Sequence, residues 1–279
     1  VAGTVGGAGI RNSRAKGMAP GATISTYDWN NDISEMRASI ARGVRLSNHS
    51  YGYITGWYWN GSGWVDYGNS HKFGAYDYYS RSTDDVVLDD GLIIFKSAGN
   101  DRNDGPGGTN RDGPYDCIGA DGMGKNIITI AALNDNDTMT SFSSWGPADD
   151  GRVKPDLSAN GAGLYSTMPN NSYASMSGTS MSGPSACGGG VLLFELFVRE
   201  NEEEPTADIL KTIMIHGARD LGNPGPDYVF GWGIIDLLKS ADAIIEEQWR
   251  KEEITTGNQV EFELSVAPGQ DELKVTIGW

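Results

Sequence analysis

Cysteine and histidine are scarce in this 279-residue chain, and each scarcity narrows the kinds of protein it can be. Two cysteines, Cys117 and Cys187, are too few for a small scaffold held by several disulfides, and either one bridge or two free thiols stays open. Only three histidines are present, so few imidazoles are available as a catalytic base. The chain is long enough to bury a core without cross-links.

Positive charge and long apolar runs are also lacking. Lys and Arg number 21 against 37 Asp and Glu, which gives a formal net charge of −16. Such an acidic chain is a poor partner for nucleic acid or for an anionic membrane surface. The longest apolar run, residues 191–197, falls far short of the roughly 20 residues that span a bilayer. The composition therefore predicts a solvated acidic surface, with no membrane span and no nucleic-acid partner.

Helical and strand-like patterns alternate along most of the chain. Apolar residues recur at helical spacing over 31–44, and residues 82–90 look like a capped helix. Strand-like runs lie at 44–52, 91–100 and 126–133. This order predicts an α/β fold, in which helices cover a parallel sheet. Three more helices are predicted farther along the chain, at 181–198, 206–218 and 236–249.

The pattern changes after Arg250. Val260, Phe262, Leu264 and Val266 alternate with polar residues, and a Pro-Gly turn leads into a second alternating run. This period of two is typical of half-buried antiparallel strands. Because two strands are too few to fold alone, we expect residues 251–279 to begin a second domain that is cut off at the end of this chain.

One serine stands where a loop runs into a long apolar helix. Ser180 lies in a Gly-Thr-Ser-Met run, so it is expected near a helix N-terminus, where free N–H groups and the helix dipole favour negative charge. A serine becomes a nucleophile only with a base to take its proton and donors to hold the oxyanion. Taken alone, a serine at a helix start is more often an N-cap.

A possible oxyanion donor ends the second predicted strand. Asn100 carries an amide that can donate a hydrogen bond, and Gly99 lets the backbone approach a substrate. On its own, Gly-Asn is an ordinary turn. Residues 141–161, between this turn and Ser180, have the composition of a loop.

Together and in this order, these segments closely resemble the subtilases, the subtilisin-like serine peptidases. The family's Gly-Thr-Ser-Met-Ala-Ser/Thr-Pro run matches residues 178–181 and Pro184, with two small residues as departures between them. The resemblance implies that Ser180 is the nucleophile and Asn100 the oxyanion donor of an endopeptidase. Such an enzyme hydrolyses peptide bonds in proteins through an acyl-enzyme and needs no cofactor for that chemistry.

The resemblance also implies how substrate is held. One wall of the primary specificity pocket would be a strand end that matches the family's Ser-Ala-Gly-Asn run, and the opposite wall would pair with the substrate backbone. These substrate-binding residues are Ser97, Ala98 and Gly99 on the first wall, and Ser50, Tyr51 and Gly52 on the second.

The resemblance extends from Val1 to about Ile245 and sets the expected domains. Residues 1–250 would be a subtilase catalytic domain, with a parallel sheet and helices on both faces, incomplete at its N-terminus. The tail, residues 251–279, resembles the first strands of the antiparallel β-sandwich that follows the catalytic domain in some alkaline subtilases. Secretion is implied as well.

No histidine in the chain has the context of the family's base. Subtilases carry a His-Gly-Thr-His-Val-Ala-Gly-Thr run, and residues 1–4 match its last four positions. We therefore expect the catalytic His and Asp upstream of this chain, which alone would be inactive. His49, His71 and His216 are expected to be packed or solvated.

Calcium commonly supports this family, and three acidic stretches offer oxygen ligands, at 101–104, 134–137 and 149–150. None has EF-hand spacing, so solvated loop carboxylates are the favoured interpretation and no metal site is assigned.

Two other functions stay open. A pseudoprotease would bind extended peptides at residues 50–52 without cleaving them, although Ser180 and Asn100 weigh against this. The aromatic-rich segment 51–80 could present Trp57, Trp59 and Trp64 to a carbohydrate or protein partner. An insertion packed by its own rings is the favoured interpretation of that segment.

Overall fold

A computed structural model of the chain describes residues 1–108, 113–266, 268–269 and 273–279. The helices of this part are α1 (Ala2–Gly6), α2 (Asp32–Ile40), α3 (Tyr78–Asp90), α4 (Thr179–Asn201), α5 (Ala207–Gly217) and α6 (Leu237–Ile245). Its strands are β1 (Leu46–His49), β2 (Trp57–Trp59), β3 (Trp64–Asp66), β4 (Ile93–Ser97), β5 (Ile128–Leu133), β6 (Leu157–Asn160), β7 (Leu164–Met168) and β8 (Ser172–Met176).

Four strands form a parallel sheet in the order β1-β4-β5-β6. Every residue of β4 and β5 is buried, as is usual for parallel strands covered on both faces. The sequence analysis recognised these strands by their largely apolar sequences, IIFKS and ITIAAL. The remaining strands pair as two antiparallel hairpins, β2-β3 and β7-β8.

Helices cover both faces of this sheet. On one face α4 crosses all four strands, and Ser97 of β4 donates a hydrogen bond to the carbonyl oxygen of Thr179, at 3.0 Å. The neighbouring Lys96 points to the opposite face, because successive side chains of a strand alternate. There it pairs with Asp121, in a short 3-10 helix held to α3 through a hydrogen bond from Ser80. The predicted α/β class with helices on both faces is confirmed.

Local capping explains where α3 begins. The Asp77 carboxylate accepts hydrogen bonds from the backbone N–H groups of Tyr79 and Ser80, and Ser80 bonds back to the Asp77 N–H. The helix therefore starts one turn before residue 82, where the sequence analysis expected a capped start. It ends at Asp90, and the C-cap is Gly91, whose φ of +76° suits glycine.

Glycine lets α4 lie close to the sheet. A Cβ on Gly190 would stand 2.6 Å from Cζ of Phe95, in β4. We expect Gly190→Ala to lower the free energy of unfolding, since an overpacking cost of about 1–3 kcal/mol outweighs the gain of up to about 1 kcal/mol in helix propensity. Urea denaturation measures the change. Gly21→Ala, where a Cβ meets nothing within 4 Å, is the matched control and should be close to neutral.

Helix α4 is also long and apolar enough, by length and composition, to cross a membrane. However, 61% of that apolar window is buried inside the fold, where the helix packs against β1, β4, β5 and β6. Its hydrophobicity is accounted for by this role as the central core helix.

Both cysteines are buried free thiols. Burial raises the pKa of Cys117 to about 12, and it raises the pKa of Cys187 to about 12 as well. Neither thiol is therefore poised for thiolate chemistry near neutral pH.

The two strands expected within 251–279 are not formed among the described residues there. Phe262 and Leu264 are 50% and 60% exposed, and no second layer packs on their alternating apolar side chains. Residues 273–279 lie along α5, where Thr276 hydrogen-bonds His216 at 3.1 Å. A hairpin without a covering layer has little to stabilise it. The β-sandwich domain stays a prediction. Its predicted Pro-Gly turn, residues 268–269, is among the described residues, whereas 267 and 270–272 lie outside them.

Candidate active site

A cleft of about 390 Å³ lies at the carboxyl ends of β1 and β4, beside the N-terminus of α4. Parallel strands bring the ends of β1 and β4 together, since His49 pairs with Lys96 in the sheet. All eight residues that the sequence analysis singled out line this cleft: Ser50, Tyr51, Gly52, Ser97, Ala98, Gly99, Asn100 and Ser180. Their roles stay predictions, but they are neighbours in space.

Ser180 is the second residue of α4 and is not its N-cap. The N-cap is Gly178, which has no side chain with which to cap the helix. The Ser180 hydroxyl instead donates a hydrogen bond of 3.3 Å to the carbonyl oxygen of Ser50. The ordinary structural explanation for a serine at a helix start therefore does not apply, and the hydroxyl faces the cleft wall.

The Asn100 side chain is held in a definite orientation by Thr179. Its Oδ1 accepts hydrogen bonds from the Thr179 backbone N–H at 2.9 Å and from the Thr179 hydroxyl at 3.1 Å. A backbone N–H can only donate, so the amide oxygen must face Thr179. The Nδ2 group is then left to donate elsewhere. Gly99, at φ +104°, allows the tight turn that places Asn100 here.

Hydrogen bonds from neighbouring elements hold the cleft wall formed by residues 50–52 in place. Asn48 donates a hydrogen bond of 2.9 Å to the Ser50 hydroxyl, and the buried Lys96 ammonium donates to the carbonyl oxygen of Tyr51. The Ser50 hydroxyl in turn donates to the carbonyl oxygen of Ser180 at 3.3 Å. These contacts tie the wall to both β4 and α4.

Carboxylates that the sequence analysis did not assign to this site also line the cleft: Asp101, Asp104 and Asp121. Asp121 forms an ion pair of 2.7 Å with Lys96, and both side chains are buried. Burial, followed by the nearby charges of Asp104 and Asp121, raises the pKa of Asp101 to about 7. The available signal was the position of Asp101 directly after Asn100. The sequence analysis considered residues 101–104 as possible calcium ligands and favoured solvated loop carboxylates.

An aromatic hairpin forms another side of the cleft. Four aromatic residues of β2 and β3 line the cleft: Trp57, Tyr58, Trp59 and Trp64. Trp59 and Trp64 are opposite each other across the hairpin, with ring centroids 5.6 Å apart in an edge arrangement. Trp59 is nevertheless 57% exposed. The aromatic segment thus packs partly on itself and partly faces the cleft.

None of the three histidines hydrogen-bonds Ser180 among the described residues. His49 is buried, with Nδ1 2.6 Å from the Tyr51 hydroxyl and Nε2 3.0 Å from the Ser47 hydroxyl. Burial and the charge of Lys96 lower the pKa of His49 to about 4, so it is neutral at physiological pH. His216 packs near the tail, and His71 lies in a short 3-10 helix of the aromatic segment.

The acidic loops considered as calcium ligands are engaged in other contacts. Asp137 pairs with Arg219 at 2.6 Å, and Asp150 pairs with Arg152 at 2.8 Å. In the described part of the chain, no group of three or more His, Cys, Asp or Glu residues is arranged to hold a metal ion.

With this geometry established, comparison with known proteins assigns the family. The sequence model of the Subtilase family matches residues 1–233, and the chain belongs to that family. The resemblance inferred from the motifs is confirmed.

Curated relatives match over shorter stretches. The PIII-type proteinase of Lactococcus lactis subsp. cremoris is 31% identical over 137 residues, which cover 42% of this chain and 7% of the relative. The C5a peptidase of Streptococcus pyogenes serotype M18 is 34% identical over 113 residues, 38% of this chain and 10% of the relative. The matched regions thus span a small fraction of these relatives' lengths.

Solved structures share the fold at low sequence identity. A lanthipeptide protease superposes with a TM-score of 0.62 at 18% identity, covering 86% of this chain and 74% of that one. The prenylagaramide maturation protease PagA gives a TM-score of 0.58 at 17% identity, covering 80% and 70%.

Proposed function

We propose that this chain is part of a serine endopeptidase in which Ser180 attacks the carbonyl carbon of a peptide bond. The observation that carries the proposal is the meeting of Ser180 and Asn100 at one cleft, at the N-terminus of α4. As the Ser180 oxygen bonds to the carbonyl carbon, a base takes the proton of the Ser180 hydroxyl. The same base then returns the proton to the leaving amine, and water hydrolyses the acyl-enzyme.

Asn100 is proposed to stabilise the oxyanion. Its oxygen is occupied by Thr179, so Nδ2 is available to donate as negative charge develops on the substrate oxygen. The backbone N–H of Ser180 and the helix dipole are proposed to act in the same direction, whereas the N–H groups of Thr179 and Met181 already donate to Asn100 and Gly178. The donors are fixed before substrate arrives, which is the source of their catalytic value.

The base is proposed to be a histidine, oriented by an aspartate, both from sequence upstream of Val1. Residues 1–4 match the end of the family's histidine run, and α1 packs against α4, the helix that carries Ser180. The chemistry needs no cofactor, and structural calcium remains a proposal from the family. Secretion is proposed on the same ground, with protein or peptide substrates lying extended along residues 50–52.

A fluorophosphonate probe tests the nucleophile. We expect the full-length protein to be labelled at Ser180 and Ser180→Ala to lose all labelling, read by mass spectrometry of the labelled peptide. Ser175→Ala is the matched control, because Ser175 is an exposed serine of β8 only five residues away, and it should be labelled like wild type. Labelling that survives Ser180→Ala would refute the assignment.

A pseudoprotease is the second candidate, favoured by the lack of any histidine contact to Ser180 in the described residues. In that case the full-length protein would bind extended peptides in the cleft yet resist the fluorophosphonate. The same labelling experiment therefore separates the two functions.

The oxyanion role of Asn100 predicts a loss in kcat. We expect Asn100→Asp to lower kcat about 10²–10³-fold with little change in KM, as found when one oxyanion donor is removed from subtilisin. The aspartate keeps an oxygen acceptor for Thr179 but removes the donor. Steady-state kinetics on a peptide substrate measure the effect, with the exposed Asn223→Ala as a control. An equal loss in both variants, or a change confined to KM, would contradict the role.

A further inference from the structure

Lys96 is a buried cation that the proposed chemistry does not use. It is the fourth residue of β4, and its side chain is only 4% exposed. Its ammonium pairs with the Asp121 carboxylate at 2.7 Å, which offsets the cost of taking a charge out of water. The same ammonium donates a hydrogen bond to the carbonyl oxygen of Tyr51, in the cleft wall formed by residues 50–52. The buried charge therefore contacts the wall along which substrate is proposed to lie.

Tyr51 is held at both ends. Its carbonyl oxygen is bonded to Lys96, whose ammonium also lies 4.9 Å from the centre of the Tyr51 ring. The Tyr51 hydroxyl donates to the Asp32 carboxylate at 3.1 Å and lies 2.6 Å from Nδ1 of His49. Because the hydroxyl has only one proton to donate, it must accept a hydrogen bond from a protonated Nδ1 of His49. These contacts hold the side chain of Tyr51 and the peptide group that follows it in one orientation.

The orientation of this peptide group decides what Gly52 presents to the cleft. The Tyr51 carbonyl and the Gly52 N–H belong to one planar trans peptide, so they point in opposite directions. Since the carbonyl faces the buried Lys96, the N–H points away from the protein interior. Gly52 is exposed and lines the cleft, and no described residue accepts a hydrogen bond from its N–H. The wall therefore offers substrate an unused backbone donor.

Asp121 lies directly against Gly52. A Cβ on Gly52 would be 2.5 Å from one Asp121 oxygen, and a Cβ on Gly119 would be 2.9 Å from the other. Side chains at these two positions would push the carboxylate away from Lys96. Glycine at both positions thus lets the ion pair lie close behind the exposed donor.

We propose that Lys96 is a positioning residue, which directs the Gly52 N–H into the cleft so that it binds a carbonyl oxygen of an extended peptide. This inference rests on the proposed function, since it assumes that substrate lies along residues 50–52. Lys96 acts through the Tyr51 peptide group, because it is buried and does not line the cleft. Without the ammonium, the Tyr51 carbonyl loses its buried partner, and the peptide group is expected to turn until water can hydrate it.

The position of Gly52 determines which substrates need this donor. The Ser180 hydroxyl lies 3.3 Å from the Ser50 carbonyl oxygen, so the substrate residue at the scissile bond meets Ser50. Gly52 is two residues farther along the wall, at a rise of about 3.3 Å per residue of extended chain. A peptide of several residues therefore reaches Gly52, whereas a single acylated residue ends before it.

Two substrates of different length test the role in the full-length protein. They are the thiobenzyl esters of acetyl-leucine and of acetyl-Ala-Ala-Ala-Leu, which share the reacting bond and the leucine beside it. The variant Lys96→Met/Asp121→Asn removes the ammonium together with the carboxylate that would otherwise lack a counter-charge. We expect kcat/KM for the tetrapeptide ester to fall at least about 10-fold, chiefly through KM, and that for the acetyl-leucine ester to change less than about 2-fold.

Lys211→Met is the matched control for a merely structural effect. Lys211 also pairs with a buried carboxylate, Asp156, at 2.7 Å, and it also donates to backbone carbonyl oxygens, those of Lys125 and Ile127. It lies on α5 and does not line the cleft. Its loss should lower stability without changing the ratio of kcat/KM between the two esters.

Thermal melting and fluorophosphonate labelling of Ser180 show whether each variant is folded. The phosphonate has no peptide arm that reaches Gly52, so its labelling rate should change less than about 2-fold. If Lys96→Met/Asp121→Asn does not fold, Lys96→Met/Asp121→Leu takes its place with the same expectation, because apolar residues often replace a buried ion pair without loss of stability.

The outcomes separate this inference from the proposed function. An equal loss for both esters, or no loss for either, with Ser180 still labelled, would overturn the role of Lys96 and leave the peptidase standing. A loss confined to the tetrapeptide ester in Lys211→Met as well would show that the effect is structural and would also overturn the role. A wild-type protein that is not labelled and hydrolyses neither ester would overturn the peptidase, and the inference with it.

Discussion

Ser180→Ala in the full-length protein is expected to lower kcat for peptide hydrolysis about 10⁶-fold, the size of the loss seen when the nucleophile of subtilisin is removed. The alanine cannot form the acyl-enzyme, so the reaction loses its two-step route. The expected effect on KM is small, because the side chain contributes one hydroxyl to a cleft lined by many residues. Residual hydrolysis about 10³–10⁴-fold above the rate in water would come from the oxyanion donors and substrate binding.

The measurement is steady-state hydrolysis of a peptide substrate by wild type and variant, with Ser175→Ala as the matched control. Thermal melting of each protein checks that the fold is intact. The Ser180 hydroxyl makes a single hydrogen bond of 3.3 Å, so its loss should change stability little. A variant that retains hydrolysis within 10-fold of wild type would show that another group is the nucleophile.

The residues of the site could be predicted because short runs resemble subtilase motifs, and each run lies at one end of a regular element. Asn100 follows β4, residues 50–52 follow β1, and Ser180 lies in the first turn of α4. Parallel strands end at one edge of a sheet, and a helix that packs across the sheet begins near that edge. The resemblance therefore predicted which residues lie together, even though 80 residues separate Asn100 from Ser180.

The acidic lining of the cleft could not be predicted in the same way. Asp121 reaches the cleft because its 3-10 helix (Ala120–Gly122) is held to α3 by Ser80 and to β4 by Lys96. No motif marks these contacts, and they join residues that are 25 and 40 positions apart in a sequence with 37 acidic residues. From such a sequence alone, a carboxylate is predicted to lie on the solvated surface, and only tertiary contacts show that it lines a cleft.

The strands show which patterns carry structural information. β4 and β5 were predicted because they are long, apolar and fully buried. β6 (Leu157–Asn160) was missed inside the segment interpreted as a loop, since it has four residues and is flanked by Pro155 and Gly161. Its place in the sheet depends on pairing with β5, which periodicity does not reveal. Residues 251–279 show the opposite outcome, because their alternating pattern predicts strands and no strand forms among the described residues there.

Residues 141–161, the segment interpreted as a loop, also contain part of a buried ion cluster. Asp156 is 4% exposed and lies between the ammonium groups of Lys154, at 2.6 Å, and Lys211, at 2.7 Å. It also accepts a hydrogen bond of 2.7 Å from the backbone N–H of Thr129, which ties β5 to the start of β6. Burial alone would raise the pKa of Asp156, but the two ammonium groups lower it below its usual value. Burial lowers the pKa of Lys154 to about 8.

Asp156→Asn is expected to lower the free energy of unfolding by about 3–5 kcal/mol, because it leaves a fully buried ammonium and its neighbour without a counter-charge. The shape of the side chain is preserved, so the loss reports charge. Urea denaturation at pH 7 measures it. Asp137→Asn is the matched control: its pair with Arg219 is exposed, and the expected change is about 0–1 kcal/mol.

The pH dependence gives this prediction a definite sign. Because the pKa of Asp156 is lower in the folded protein than its usual value of about 3.9, its contribution is complete above that value and is lost as the pH falls through the folded pKa. The difference in unfolding free energy between wild type and Asp156→Asn should therefore persist at pH 5–7 and shrink in stronger acid, as the pH falls through the folded pKa of Asp156. A difference that is below 1 kcal/mol at pH 7, or that does not shrink in stronger acid, would show that the buried cluster does not stabilise the sheet beneath the cleft.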